Sequence, residues 1–458
     1  MGETDSLKAM VEQCRDLIFK TERDVWKTPE TGYKEWKTTA YMEKVFEDLG
    51  YSLVRAGNIP GFYTDLDTGK PGPKIAILGE LDSLALASHP DANPETKAVH
   101  ACGHNVQCAI LVGVAAALKQ PGALDGLCGS IRLMAVPAEE MIEIGFREEL
   151  RKKGTIRYFG GKVEFIYRGY FDGVDMAMMI HNGIMEEGKY LTINPGCNGL
   201  VAKNIIFKGV SAHAGGHPDL GVNALYAATT ALSAANALRE TFPDSDHIRF
   251  HPIITEGGAV VNAIPERVKV ESYVRGATTE SILKYNEKIN LAMAGTAAAM
   301  GAGVILEDRP GYFPLNNDKN LNALAGETME EIAGPGSVLY TDHWDTGSTD
   351  MGDVSCIMPA VHPYGAGSSG MLHGADFQVT DPERACVAPA ECLFIMAHRL
   401  LCEEGALAKK VIAESHPLFA SKEEYLKMVD RLDMTKDAVQ YQADGTVILD
   451  YKKNTCIS

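Results

Sequence analysis

The chain has no C-x-x-C pair and no regular cysteine spacing, although it holds ten cysteines in 458 residues. A disulfide framework or a zinc knuckle would leave one of those marks, so scattered, reduced thiols in a cytosol are expected. No apolar run reaches the roughly 20 residues that span a bilayer. Residues 1–10 lack the apolar core of a secretory signal. Basic residues are in deficit: 43 Lys and Arg against 61 Asp and Glu give a formal net charge of −18. No basic stripe is available to meet phosphates, which argues against a nucleic-acid partner. Gly2 and Ser6 fit the loose N-myristoylation pattern, a match short enough to arise by chance. Repeats and low-complexity tracts are missing too. These absences lead us to expect a cytoplasmic protein with neither membrane nor nucleic acid as partner.

What is present has globular composition, 45% hydrophobic and 23% charged, enough for a large core. Its focal stretch is His100-Ala101-Cys102-Gly103-His104-Asn105. Gly103 frees the backbone to turn Cys102 and His104 one way, and the apolar run 106–118 follows like a buried helix. Thiolate with imidazole suits a metal of zinc-like softness. Alone, so short a motif is better explained as a packed cysteine beside a helix start. Recurrence changes that reading. Apolar strands at 74–78, 131–136 and 174–180 run into Glu80-Leu81-Asp82, Pro137-Ala138-Glu139-Glu140 and His181. Open α/β sheets bind ligands at that edge.

Along the chain, residues 7–49 read as two helices broken at Thr28-Pro29-Glu30-Thr31-Gly32. The charged insert 146–167, with Arg147, Arg151, Lys152, Lys153 and Arg157, reads as a solvated helix and loop. Strands near 203–208, 249–255, 267–275 and 304–306 enclose helices at 222–239 and 280–300. Within 267–275, Val268, Val270 and Val274 fall on one face, and Lys269, Glu271, Tyr273 and Arg275 on the other. This is a βαββαβ order, the split βαβ unit inserted as a domain. The expected fold is α/β: a mixed, largely parallel central sheet flanked by helices, with an inserted βαββαβ lid. The expected boundaries are 1–197 and 310–458 for the main domain and 198–309 for the insert. From Glu403 onward the tail reads as a closing helix.

Cys102, His104, Glu140, His181 and His373 are all good ligands for a divalent metal. Five exceed one closed tetrahedral site, and their spread points to a two-metal catalytic centre with one ligand bridging. Metals ~3.5–4 Å apart lower the pKa of a water and polarise a carbonyl. Glu139, beside Glu140, then stays free as general base.

With these residues in hand, the chain resembles the co-catalytic metallopeptidases that include aminoacylase and glutamate carboxypeptidase. It is most similar to their amidohydrolase branch of aminobenzoyl-glutamate hydrolase, auxin–amino acid conjugate hydrolases and a β-alanyl-lysine-type dipeptidase. The resemblance rests on Pro29-Glu30-Thr31-Gly32, the 100–104 motif, Pro137-Ala138-Glu139-Glu140, Ser211-Ala212-His213-Ala214-Gly215, Asn262-Ala263-Ile264-Pro265 and His373-Gly374-Ala375-Asp376-Phe377. It implies a zinc-exopeptidase-like fold and two divalent metal ions per chain, zinc or manganese. Cys102 would bridge the metals, and His104, Glu140, His181 and His373 would complete the set, with Glu139 as base. His213 would steady the oxyanion in a neighbouring subunit of a homodimer or higher oligomer. Asn262 and Arg275 would hold the carbonyl and carboxylate of a small N-acyl amino acid or dipeptide, with Arg249 and Arg267 as alternatives to Arg275. A non-catalytic binding protein is the competing class, and the intact Glu139 weighs against it. Asn105 departs from the aspartate of auxin-conjugate hydrolases and favours the aminobenzoyl-glutamate and dipeptidase side. His89, His247, His251, His398 and His416 read as surface or core side chains. His217 and His343 lie near site loops, and Cys197, Cys356 and Cys386 read as packed thiols.

Overall fold

The structure, a computed structural model, describes residues 2–452. The chain forms two compact units. The first comprises residues 2–196, 315–344 and 349–422; the second comprises 197–314, 345–348 and 423–452.

In the first unit the central sheet runs Val54–Arg55, Phe62–Asp67, Ser130–Val136, Lys74–Glu80, Met176–Met178 and Ala360–Val361. The last four strands are parallel, and the outer two join antiparallel. Six of seven residues are buried in both Lys74–Glu80 and Ser130–Val136, as parallel strands covered on both faces require. Helix His104–Leu118 packs on this sheet with all 15 residues buried. It also meets helices Arg15–Trp26 and Ala388–Leu401. None of the described helices is singly long and apolar enough to cross a membrane.

Two local expectations shift. The segment before residue 49 holds three helices, Glu3–Glu12, Arg15–Trp26 and Trp36–Asp48; the first break, at Gln13-Cys14, carries no glycine or proline to mark it in the sequence. The strand expected at 174–180 is only Met176–Met178. His181 instead opens a short strand of a second, four-stranded sheet with Tyr364–Gly365, Leu191–Ile193 and Val338–Tyr340.

The second unit is the βαββαβ element. Its antiparallel sheet runs Arg249–Phe250 with Ile253–Glu256, then Arg267–Gly276, Gly199–Lys208 and Gly303–Pro310. Helices Ala224–Ala237 and Thr279–Ala299 cover one face, onto which Val268, Val270 and Val274 are fully buried. The strand expected at 249–255 splits at His251-Pro252, since proline has no N–H to give a ladder. The tail departs from expectation. Residues from 423 join this unit rather than the first. Met434–Asp437 pairs with Gly303–Pro310, and Met434, Ala438 and Val439 enter the core.

Candidate metal centre

Three strands of the first unit end at one place. Gly103 precedes helix His104–Leu118 with φ +87°, a left-handed turn that glycine adopts without cost. The turn sets the thiol of Cys102 beside the ring of His104. Past Ser130–Val136, the chain reverses at Ala138, φ +58°, and delivers Glu139 and Glu140. His373, also left-handed at φ +59°, is tied by its N–H to the Ala101 carbonyl, 2.8 Å.

The candidate ligand atoms fall into two groups, each within 4.8 Å: Cys102, His104 and His181, and Cys102, Glu140 and His373. Cys102 belongs to both. Its Sγ is 3.5 Å from His181 Nε2, and His373 Nε2 is 3.1 Å from Glu140 Oε1. The two buried imidazoles of these groups have Nδ1 committed to a backbone carbonyl: His104 to Asp82 O at 2.9 Å, His181 to Asn182 O at 2.6 Å. That fixes the tautomer and leaves Nε2 for the cluster, as metal-binding histidines require. His104 Nε2 is buried without a hydrogen bond. Soft sulfur, imidazole and carboxylate around one shared atom fit a pair of zinc-like cations.

The electrostatics agree. Burial pushes the Cys102 thiol up and Glu140 adds to this, but His104 and His181 outweigh both and bring it down to about 6. A thiolate is the form that ligates metal. Hydrogen bonds to Cys102 and Glu140 hold His373 up at about 11. Burial, with the charges of Glu80, Glu140 and Asp350, pushes Glu139 well above the carboxylate range. The cluster thus attracts positive charge, and Glu139 holds a proton more tightly than a solvated carboxylate does.

Several buried residues around the centre carried no expectation. Lys162 is fully buried, its ammonium held by the carboxylates of Glu80 and Asp350. Glu80 also accepts from Gln107 Nε2, 2.9 Å, and lies 3.2 Å from His104 Nε2. Glu80, His104 and Glu139 form a third candidate ligand group, but its Glu80 is already engaged by Lys162 and Gln107. The insert expected to be solvated is therefore corrected. It folds as helices Ile144–Lys152 and Gly161–Tyr167, and Arg147 and Lys162 point into the protein. Asn105 is also explained: its Nδ2 donates to buried Glu22 Oε1 at 2.7 Å. Aspartate there would put two carboxylates in contact.

The second unit gathers His213 and Asn262. Residues 213 and 263 form a β-bridge, and Ala214 N–H donates to Asn262 O at 3.0 Å. His213 Nδ1 accepts from the N–H groups of Gly215, 3.2 Å, and Gly216, 2.9 Å. Its proton therefore sits on Nε2, facing outward as a donor. Arg275 lies apart on the sheet, opposite Arg249, with Nε 3.2 Å from His251 Nε2. Arg267 is paired with Glu256 at 3.1 Å.

Fold and cluster define a class: a zinc-exopeptidase-like hydrolase with an inserted α/β domain. Residues 196–299 match the peptidase dimerisation domain. Indole-3-acetyl-aspartic acid hydrolase of Enterobacter agglomerans is 31% identical over 351 residues, 66% of this chain and 76% of that protein. Mouse Xaa-Arg dipeptidase is 27% identical over 372 residues, 77% of each. Among solved structures, the aminobenzoyl-glutamate utilization protein of Klebsiella pneumoniae matches with TM-score 0.64 and 20% identity, covering 86% of this chain and 98% of that one. A dinuclear metal-binding peptidase of the M20 family from Bacillus subtilis matches with TM-score 0.62 and 20% identity, covering 85% and 99%. The chain belongs to the M20 peptidase family and is a metal-dependent hydrolase.

Proposed function

We propose that this hydrolase cleaves the amide between an acyl group and an amino acid with a free carboxylate. The observation that carries the reading is the sharing of Cys102 by two ligand groups. Cys102, His104 and His181 would hold one divalent ion, and Cys102, Glu140 and His373 the other, zinc or manganese. Such ions supply Lewis acidity toward the amide carbonyl and lower the pKa of water. Glu139 Oε takes the proton of the attacking water and returns it to the leaving nitrogen. The Nε2–H of His213 donates to the oxyanion, Asn262 orients the carbonyl, and the guanidinium of Arg275 holds the carboxylate through paired hydrogen bonds. The dimerisation-domain match supports a homodimer in which His213 serves the partner's centre. The nine described cysteines form no disulfide with one another, which supports a reducing, cytoplasmic setting.

A dipeptidase is the second reading, favoured by the mouse relative named for Xaa-Arg substrates. Relatives named for indoleacetyl-aspartate and aminobenzoyl-glutamate favour acyl conjugates. A panel of N-acyl amino acids, aminobenzoyl conjugates, dipeptides and the matching C-terminal amides, assayed with zinc, manganese or cobalt, tests this. Turnover of free acids above their amides is the expected result. Preference for a free α-amine identifies a dipeptidase, and no turnover of any member above buffer refutes hydrolysis.

A further inference from the structure

The loop that carries Glu139 and Glu140 is short, reversed at Ala138, and held from three sides. Glu35 Oε1 accepts the Ala138 N–H at 2.7 Å, and Asp82 Oδ2 accepts the Glu140 N–H at 2.9 Å. The third hold is Arg147, fully buried on helix Ile144–Lys152. Its Nη1 donates to Phe159 O at 2.6 Å and, more weakly, to Ala138 O at 3.4 Å. Its Nη2 donates to Glu140 O. The guanidinium thus grips the carbonyls on both sides of Glu139. It stands 5.6 Å from the ring centre of Tyr33, whose hydroxyl donates to the carbonyls of Tyr158, 3.0 Å, and Gly160, 3.2 Å. Gly32 completes the seat, because a Cβ there would collide with Arg147 Nη2 and press on Ala138.

A fully buried cation with carbonyl partners instead of a carboxylate is a costly arrangement. A solvated insert would not keep it. We infer that Arg147 is a positioning residue, a clamp that fixes the Ala138–Glu140 turn so that the Glu139 and Glu140 carboxylates face the ligand cluster. Only a planar fork of donors reaches three carbonyls at once; an ammonium is a point charge. The clamp comes from the insert, whose length and sequence show no trace of it. The inference rests on Glu140 being a metal ligand, as proposed above, and metal binding tests it without any substrate.

The experiment is a zinc titration of metal-stripped wild type, Arg147→Lys, Arg147→Ala and Gly32→Ala against a chromophoric chelator. Wild type is expected to bind two equivalents. Arg147→Lys and Gly32→Ala should keep one tight equivalent and weaken the other by ~10–100-fold, the usual cost of losing a group that orients a ligand. Guanidinium, far below denaturing concentration, should restore the second affinity in Arg147→Ala, while sodium chloride at equal ionic strength should not. Loss of folding in Arg147→Ala moves the decision to the other two variants, judged on samples with wild-type circular dichroism. Two wild-type affinities in folded Arg147→Lys and Gly32→Ala overturn the clamp. So does equal weakening of both equivalents, which marks general loosening, or a wild type that binds fewer than two. Two zinc ions bound without hydrolysis of any substrate would instead overturn the amidohydrolase reading and leave the clamp standing.

Discussion

Asn105→Asp is a change of one atom that should cost much of the stability of the first unit. Asn105 and Glu22 are both buried, with Nδ2 of one 2.7 Å from Oε1 of the other. Arg23 grips the same Glu22 carboxylate. Aspartate would replace a donor by a second anion. At an effective dielectric of about 20, two charges this close repel by about 6 kcal/mol. The chain can escape by protonating one carboxyl, which costs about 1.4 kcal/mol per pH unit above a pKa near 4, hence about 4 kcal/mol at pH 7. The cheaper route sets the loss, so about 3–4 kcal/mol is expected, the range for breaking a buried polar pair. Urea unfolding at pH 7 followed by circular dichroism measures it. The double variant Glu22→Gln with Asn105→Asp re-creates a donor–acceptor pair with the roles exchanged and should recover most of the loss. Asn105→Asp within about 0.5 kcal/mol of wild type, the scatter of harmless surface changes, would refute the reasoning. A double variant as unstable as the single would do the same.

The same pair shows where sequence reading stops. Asn105 stands out against a motif, but Glu22 lies 83 residues earlier and nothing near it marks a partner. The strand ends were legible because parallel strands buried on both faces give unbroken apolar runs, and a polar group closing such a run must go somewhere particular. Thus Glu139, Glu140 and the edge they share were readable, while the exact end before His181 was not. His181 leaves one sheet for another within three residues of Met178, and both segments are buried, so nothing in the run marks the change of sheet. The burial of Lys162 and Arg147 escapes the sequence for a different reason. A buried cation and a solvated one look alike in a charged segment. Their partners are carboxylates 82 and 188 residues away for Lys162, and backbone carbonyls, which carry no sequence mark, for Arg147. The tail's place in the second unit leaves no mark in the sequence, because Met434, Ala438 and Val439 are too few to form a pattern among so many charges. Their burial depends on the edge of Gly303–Pro310 being open to them.

Cys102→Ser should lower bound metal, since a hydroxyl is a far poorer ligand than thiolate; elemental analysis at wild-type metal content would remove Cys102 from the centre. Glu139→Gln should lose at least ~10²-fold in kcat with metal retained, the scale of general base catalysis, and near-normal turnover would assign the proton transfer elsewhere. Burial, moderated by Lys8 and reinforced by Glu12, pushes the Glu391 carboxyl up to about 7. The folded state then holds that proton more tightly than the unfolded chain, so stability falls as pH rises from about 4 toward 7 and stays low above. Glu391→Gln should therefore raise the melting temperature at pH 8 and leave it nearly unchanged at pH 4; an equal shift at both would refute this. The last expectation concerns which subunit supplies the oxyanion donor. All proposed metal ligands and Glu139 lie in the first unit, while His213 lies in the second, within the match to the peptidase dimerisation domain. A two-fold dimer places two equivalent donors over two equivalent centres. Glu139→Ala and His213→Ala chains, each inactive alone, are co-expressed and the mixed dimer purified through two different tags. If His213 serves the partner's centre, one centre of the mixed dimer lacks both groups and the other has both intact, so half of the wild-type activity returns. If His213 serves its own chain, each centre still lacks one group and the mixed dimer stays inactive.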